Sequence, residues 1–214
     1  MNPSFAEFAA LVTAHRVFAI LRHVPAEQLP AVLDALVAGG IRLLEITMNT
    51  QDAVGQLMLA RAHLGDRAIL GAGTVTTPAR AQAAMDAGAR FLVTPNLDPA
   101  VVRLATEAGV PIVPGVMTPS EMVAGLQAGA AALKIFPAGQ LGTGYVRDVR
   151  AALDDAPLVA VGGVTVENAA DWIRAGCIGV GIGGSLLDKS LLAAGDMAGL
   201  TNRARALVDS LAGV

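Results

Sequence analysis

The chain has 214 residues, of which 54% are hydrophobic, 15% charged and 3% aromatic, with a formal net charge of −3 and a pI near 5.5. This composition lacks the basic surface and the stacking aromatic side chains that nucleic-acid binding needs, so that class of function is excluded. The sequence has no apolar run of about 18 residues, the length of a membrane span, and its one cysteine, Cys177, excludes an internal disulfide.

The N-terminal segment, residues 2–15, is predicted to form a short amphipathic helix. It contains Glu7 and lacks a basic start followed by an apolar stretch, so it does not read as a secretory signal. Together with the single cysteine, this pattern predicts a cytoplasmic protein.

A βα repeat follows, with Ala-Gly pairs where predicted helices end, and a spacing of about twenty residues between neighbouring pairs. The pairs lie at 38–39, 87–88, 108–109, 128–129 and 175–176. Eight strands are predicted, at roughly 17–22, 41–47, 68–73, 91–94, 110–114, 131–136, 158–161 and 178–182. Several intervening helices begin with a capping residue or proline, at Pro78, Asp98–Pro99, Thr118–Pro119 and Thr165–Asn168.

Eight alternating units in about 200 residues predict an α/β TIM (β/α)8 barrel behind a short N-terminal helix, with residues 1–214 forming one domain. A doubly wound sheet is the alternative, but it normally carries a glycine-rich turn after the first strand, and residues 22–25 contain no glycine. In a barrel the active site lies at the carboxyl ends of the strands. Polar residues gather at the predicted ends: Arg22, Glu45, Thr47, Thr74, Thr94 and Lys134.

Lys134 stands inside the apolar run 131–137, which is typical of a strand buried on both faces. The chain has 15 lysines and arginines, and only Lys134 and Lys189 are lysines, so lysine is not its usual surface charge. Burial lowers the pKa of a lysine, and a neutral amine attacks carbonyl groups to form a Schiff base. The alternative is a structural lysine that reaches the strand end or pairs with a buried carboxylate.

Glu45 lies in the apolar strand 43–47, where a carboxylate must be paired or protonated. Because side chains alternate along a strand, Glu45 and Lys134 meet near the carboxyl mouth if both point into the barrel. There Glu45 would move protons beside a Schiff-base lysine. A structural ion pair between the two is the alternative.

Two glycine pairs follow the seventh and eighth predicted strands, Gly162-Gly163 and Gly183-Gly184 with Ser185. In TIM barrels the loops at these two positions commonly bind phosphate through backbone N–H groups and a helix N-terminus. The sequence therefore predicts a phosphate site held mostly by neutral donors.

Three further strand-end residues are candidates for substrate contacts. Arg22 offers a bidentate donor for a carboxylate, Thr74 offers a hydroxyl after the glycines of 71–73, and Pro95 shapes a pocket wall. Each also fits an ordinary strand end or turn. The three histidines show no metal-ligand spacing, so no metal is predicted, and Cys177 reads as a small buried residue.

The motifs LLEITMNT, GAGTV, FLVTPN, ALKIFPA, VGGV and GIGGS, in this order between residues 43 and 185, resemble the aldolases of 2-keto-3-deoxy-6-phospho sugar acids. The resemblance covers residues 17–190. It implies a metal-free and cofactor-free class I aldolase, usually a homotrimer, that releases pyruvate and glyceraldehyde 3-phosphate. It further implies that Lys134 is the Schiff-base lysine and Glu45 the acid/base, that Thr74, Pro95 and Phe136 surround the pyruvoyl part, and that Gly162, Gly163, Gly184 and Ser185 bind phosphate.

Two departures concern the substrate epimer. The gluconate enzymes of this family usually carry arginine where this chain has Asn49, and threonine where it has Val161. Asn49, Val161 and Arg22 are instead similar to the galactonate branch. Gluconate cleavage or dual specificity is the first alternative, because such contacts give only about 10–200-fold preferences. An isomerase or synthase that uses Glu45 and Lys134 without a Schiff base, and a sugar-phosphate sensor without turnover, are the others.

Overall fold

The computed structural model describes residues 3–214, which form a parallel β-barrel surrounded by helices. The strands run in the order β5-β4-β3-β2-β1-β9-β8-β7-β6, and neighbouring strands in this order are parallel. Their bounds are β1 Val17–Leu21, β2 Leu43–Thr47, β3 Ile69–Gly73, β4 Leu92–Val93, β5 Ile112–Val113, β6 Gly115–Val116, β7 Leu133–Ile135, β8 Leu158–Val161 and β9 Gly179–Ile182. The TIM barrel predicted from the repeat is confirmed.

The fifth strand is predicted at 110–114, but the structure has β5 at Ile112–Val113. A further short strand, β6, lies just beyond the predicted end, and these two strands close the barrel. Pro114 separates β5 from β6, because proline has no N–H to donate to a ladder. On one side Thr94 N donates to the Val113 carbonyl at 3.2 Å, and on the other Lys134 N donates to the Pro114 carbonyl at 2.9 Å. The same extended segment therefore pairs with β4 on one side and β7 on the other.

Ten helices in the described residues surround this barrel: α1 Phe5–His15, α2 Leu29–Ala38, α3 Ala53–Leu64, α4 Pro78–Asp86, α5 Pro99–Glu107, α6 Pro119–Gln127, α7 Ala138–Ala152, α8 Ala169–Arg174, α9 Lys189–Ala194 and α10 Met197–Leu211. Asp98 and Thr118 cap helices whose first residue is proline, as predicted, and Pro78 opens α4 behind Thr77, a cap that was not predicted from the sequence. At the predicted start 165–168, Asn168 precedes α8 without a side-chain capping hydrogen bond. Helix α7 is broken at Gly142, whose φ is 79°. None of these helices, over residues 3–214, has the length and apolarity to cross a membrane.

Helix α1 closes the amino end of the barrel. It begins after a capping box of Ser4 and Glu7, later than the predicted start at residue 2, which lies outside the described residues. Phe8 is fully buried, with its ring centroid 6.3 Å from that of Phe18 and 5.2 Å from that of Phe91. These contacts plug the bottom of the barrel with apolar side chains and leave the carboxyl end as the open mouth.

Phe8→Ala should lower the free energy of unfolding by about 3–5 kcal/mol, because it empties a site between two other rings. Urea unfolding measures this loss as a lower midpoint at an unchanged slope. Phe5→Ala, at a half-buried position one turn earlier, is the matched control and should cost less. Equal losses in the two variants would contradict the plug described here.

Candidate active site

A pocket of about 480 Å³ opens at the carboxyl end of the barrel. Every predicted site residue except Glu45 lines it: Arg22, Thr74, Pro95, Lys134, Phe136, Val161, Gly162, Gly163, Gly183, Gly184 and Ser185. The strand ends thus bring together residues that are up to 163 positions apart in the sequence (185 − 22). A separate cavity of about 380 Å³ lies beneath the loops after β1 and β2 and holds none of the predicted site residues.

Lys134 lies at the centre of β7 and is only 4% exposed. Burial lowers the pKa of its ammonium group, Glu45 opposes this shift, and Arg22 adds to it. The amine nitrogen lies 4.8 Å from the centroid of the Phe136 ring. Burial therefore shifts this group towards the neutral amine, which is the nucleophilic form, although the facing ring favours the ammonium form.

Glu45 on β2 is 2% exposed, and burial raises its pKa, although the positive charges of Lys134 and Arg22 act in the opposite direction. Its place depends on a neighbouring glycine. A Cβ on Gly73 of β3 would lie 1.6 Å from the Glu45 Oε1 atom, so only glycine at this position leaves room for the carboxyl group. The result is a carboxyl group poised to hold or release a proton in an apolar wall.

Glu45 and Lys134 line one small cavity beneath the pocket floor, as the strand alternation predicted. Within residues 3–214, however, no ion pair of 4.0 Å or less joins them. A structural ion pair therefore does not account for either residue. Their charges nevertheless act on each other across the gap between them, because each shifts the pKa of the other.

Arg22 follows β1 and reaches across the mouth of the pocket. Its Nη1 donates to Asn49 Oδ1 at 3.2 Å, and its Nη2 donates to Thr74 Oγ1 at 3.3 Å. Thr74 takes a left-handed φ of 56°, an unusual conformation for a residue with a branched side chain. The guanidinium group is thereby held by residues that follow the ends of β2 and β3.

Two loops form the opposite end of the pocket: residues 162–168, here the β8 loop, and residues 183–188, the β9 loop. Gly162 and Gly163 have φ values of 86° and 82°, and a Cβ on Gly163 would lie 2.9 Å from the Gly139 Cα atom. Among the described residues, the backbone N–H groups of Gly163, Gly184 and Ser185 donate no hydrogen bond. Unused N–H donors beside a pocket are the arrangement that binds an anionic oxygen.

The sequence interpretation missed several pocket residues: Ile20, Val164, Thr165 and Gly181. Thr165 was read only as a helix start, and it does exchange hydrogen bonds with Asn168 ahead of α8. Ile20 and Gly181 face each other inside the barrel, where a Cβ on Gly181 would come 3.2 Å from Ile20. The two-residue alternation that places Glu45 inside the barrel could also have indicated these two positions.

Neither a metal site nor the cysteine adds a reactive group to this pocket among the described residues. In the described part of the chain, no three His, Cys, Asp or Glu side chains gather as metal ligands. Cys177 is buried, and burial raises the pKa of its thiol to about 12, so it stays protonated as a core side chain.

The sequence matches the family described as "Aldolase: KDPG and KHG aldolase" over residues 9–203. A probable 2-dehydro-3-deoxy-6-phosphogalactonate aldolase of Rhizobium meliloti is 40% identical over 182 residues, which cover 85% of each chain. The 2-dehydro-3-deoxy-6-phosphogalactonate aldolase of Escherichia coli is 39% identical over 171 residues, covering 79% of this chain and 83% of the relative.

A 2-dehydro-3-deoxy-phosphogluconate aldolase of Dickeya dadantii is 35% identical over 176 residues, covering 81% of this chain and 82% of the relative. Among solved structures, KDPG aldolase from Legionella pneumophila, with pyruvate captured as a covalent carbinolamine, superposes with a TM-score of 0.87. It is 26% identical, and the alignment covers 93% of this chain and 97% of that one. The chain belongs to the KDPG and KHG aldolase family and is a carbon–carbon lyase of the class I type.

Proposed function

We propose that this enzyme reversibly cleaves 2-dehydro-3-deoxy-6-phosphogalactonate to pyruvate and D-glyceraldehyde 3-phosphate. The observation that carries the proposal is a buried lysine and a buried glutamate at the floor of a pocket that has Arg22 at one side and unused backbone donors at another. A keto acid fits the lysine and the arginine, and a phosphate fits the loops.

Lys134 begins the reaction as a neutral amine that attacks the keto carbon and forms a carbinolamine. Glu45 then donates a proton to the departing hydroxyl, so that water leaves and an iminium ion forms. The iminium withdraws the electron pair of the bond between carbons 3 and 4, and the hydroxyl on carbon 4 gives its proton to the Glu45 carboxylate, directly or through water, as that carbon becomes the aldehyde. Glyceraldehyde 3-phosphate leaves, and an enamine remains on Lys134.

Glu45, directly or through water, then protonates the enamine at the former carbon 3 to give the imine of pyruvate. Water hydrolyses this imine and frees the Lys134 amine. Arg22 binds the carboxylate throughout, while the N–H groups of Gly163, Gly184 and Ser185 bind the phosphate. Thr74, Pro95 and Phe136 enclose the pyruvoyl part.

The choice of the galactonate epimer rests on Arg22, Asn49 and Val161. Asn49 accepts a hydrogen bond from Arg22, which holds the arginine that follows β1 where it can bind the carboxylate in place of an arginine at position 49. Val161 lines the pocket and offers no hydrogen bond. The hydroxyl group on carbon 4 of the substrate therefore lacks the partner that a threonine at this position would offer.

The test compares the galactonate and gluconate 6-phosphates in an assay that measures pyruvate release. We expect a higher kcat/KM for the galactonate compound, by about 10–200-fold. Val161→Thr, which adds a hydroxyl at nearly the same volume, should shift the ratio towards gluconate. An equal or reversed preference in the unaltered enzyme would identify a dual-specificity or gluconate aldolase instead.

We also propose a cytoplasmic homotrimer. Large apolar side chains are exposed on α3 and near α6, and Met58 is 60% exposed. Such side chains suit an interface between copies of the chain. The buried free thiol of Cys177 fits a reducing compartment.

A further inference from the structure

The β8 loop and the β9 loop are joined by one side chain from outside the pocket. Arg203, on α10, donates from its Nε to the Ser185 carbonyl at 2.7 Å. Its Nη2 lies 3.5 Å from the Glu167 Oε1 atom in the β8 loop. Arg203 therefore contacts both loops at once, and it lies about 18 residues beyond the last of the recognised motifs in the sequence.

The loops make few other contacts with each other. Between the loops, the Val166 N–H donates to Ser185 Oγ at 3.2 Å. Within the β8 loop, Asn168 Nδ2 donates to the Gly163 carbonyl at 3.2 Å. Because glycine has high conformational freedom, loops of this kind pay an entropic cost when they are ordered around a ligand. A side chain that already joins the two loops in the free enzyme lowers the entropy that is lost when the ligand binds.

Arg203 also changes the charge around these loops. The basic residues that line the pocket are Lys134, within β7, and Arg22, which follows β1, while the two loops carry the carboxylates of Glu167 and Asp188. Hydrogen bonds lower the pKa of both carboxyl groups, chiefly from Thr165 to Glu167 and from Ser190 to Asp188, and the guanidinium group of Arg203 lowers both slightly further. It thus offsets negative charge that would repel a phosphate dianion.

We propose that Arg203 is a positioning residue for the phosphate of the substrate. It holds the β8 and β9 loops in register, so that the N–H groups of Gly163, Gly184 and Ser185 converge on one anion, and its charge offsets that of Glu167. This inference rests on the proposed function and assigns a role to a residue outside the pocket lining.

The test replaces Arg203 by methionine and compares the phosphorylated substrate with its unphosphorylated counterpart. We expect KM for the phosphorylated substrate, and the inhibition constant of inorganic phosphate, to rise about tenfold. The kcat/KM for the unphosphorylated acid should fall much less. Exchange of the pyruvate methyl protons with deuterium, followed by NMR, reports the chemistry of Lys134 and Glu45 without a phosphate.

Arg205→Met is the matched control, because Arg205 is exposed on the same helix and contacts Asn202 and the Ala38 carbonyl rather than either loop. Arg203→Lys retains the charge and should recover part of the lost affinity. If Arg203→Met does not fold, the lysine variant is measured alone and should still raise KM for the phosphorylated substrate.

An inhibition constant for phosphate within twofold of the unaltered enzyme in Arg203→Met, or in Arg203→Lys where only that variant folds, would overturn the proposal. So would equal losses with both substrates and in pyruvate exchange, because these would indicate a general structural role. Failure of the proposed function is a separate result, seen in the unaltered enzyme: it would show no preference for the galactonate compound or, if the Schiff-base chemistry itself is absent, no pyruvate exchange.

Discussion

Lys134→Met should abolish cleavage, lowering kcat by at least about 10⁴-fold, because it removes the amine that attacks the keto carbon, and among the described residues no other lysine lines the pocket. Methionine is similar in length and apolar, so the buried position between β6 and β8 tolerates it. The fold and the affinity for phosphate should therefore remain, which separates the loss of chemistry from a loss of structure.

Borohydride reduction in the presence of pyruvate, read by intact and peptide mass spectrometry, measures the covalent step directly. The unaltered enzyme should carry one pyruvate-sized adduct on Lys134, and Lys134→Met should carry none. Lys189→Met is the control, because Lys189 is exposed at the start of α9 and should not form the adduct. An adduct that persists without Lys134, or none in the folded unaltered enzyme, would refute the Schiff-base mechanism.

The pH dependence of adduct formation follows from the lowered pKa of Lys134. Below that pKa the ammonium form prevails and cannot attack, so the rate should rise as pH increases through it and level off above it. Because burial places this transition below the range of a free lysine, the plateau is reached at a lower pH than for a surface amine. A transition at the ordinary lysine pKa would mean that the amine is not desolvated when it reacts.

The clustering of the candidate residues was largely predictable because most of them follow strand ends, although Glu45 and Lys134, predicted at strand ends, lie at the centres of β2 and β7. Lys134 and Glu45 interrupt apolar runs, and two-residue alternation directs both into the barrel. The glycine pairs stand at the positions where barrels bind phosphate. These are local signals, and the topology of a parallel barrel converts them into one cluster.

What the sequence did not reveal depends on contacts between distant segments. The break at Pro114 was hidden because a proline near a strand end is ordinary. The Arg22–Asn49 hydrogen bond requires the register of β1 against β2, which no local pattern encodes. Arg203 lies on an exterior helix, where an arginine is commonplace, and only the packing of α10 behind the β9 loop brings it to Ser185.

Glu45→Gln should keep the Schiff base but lower turnover by about 10²–10⁴-fold, the usual contribution of a positioned acid/base. Glutamine preserves the shape that fits beside Gly73, yet it neither donates nor accepts the proton that dehydration and enamine protonation require. Borohydride should still trap pyruvate on Lys134, while exchange of the pyruvate methyl protons should slow as strongly as cleavage.

The same variant tests the electrostatic coupling across the gap. The charge of Glu45 raises the pKa of Lys134, so its removal should move the transition in adduct formation to lower pH, never to higher pH. Glu107→Gln, an exposed change at the end of α5, is the matched control and should alter neither quantity. Unchanged turnover in Glu45→Gln would remove the carboxyl group from the mechanism, and the proton would then have to come from water that Lys134 or the substrate itself positions.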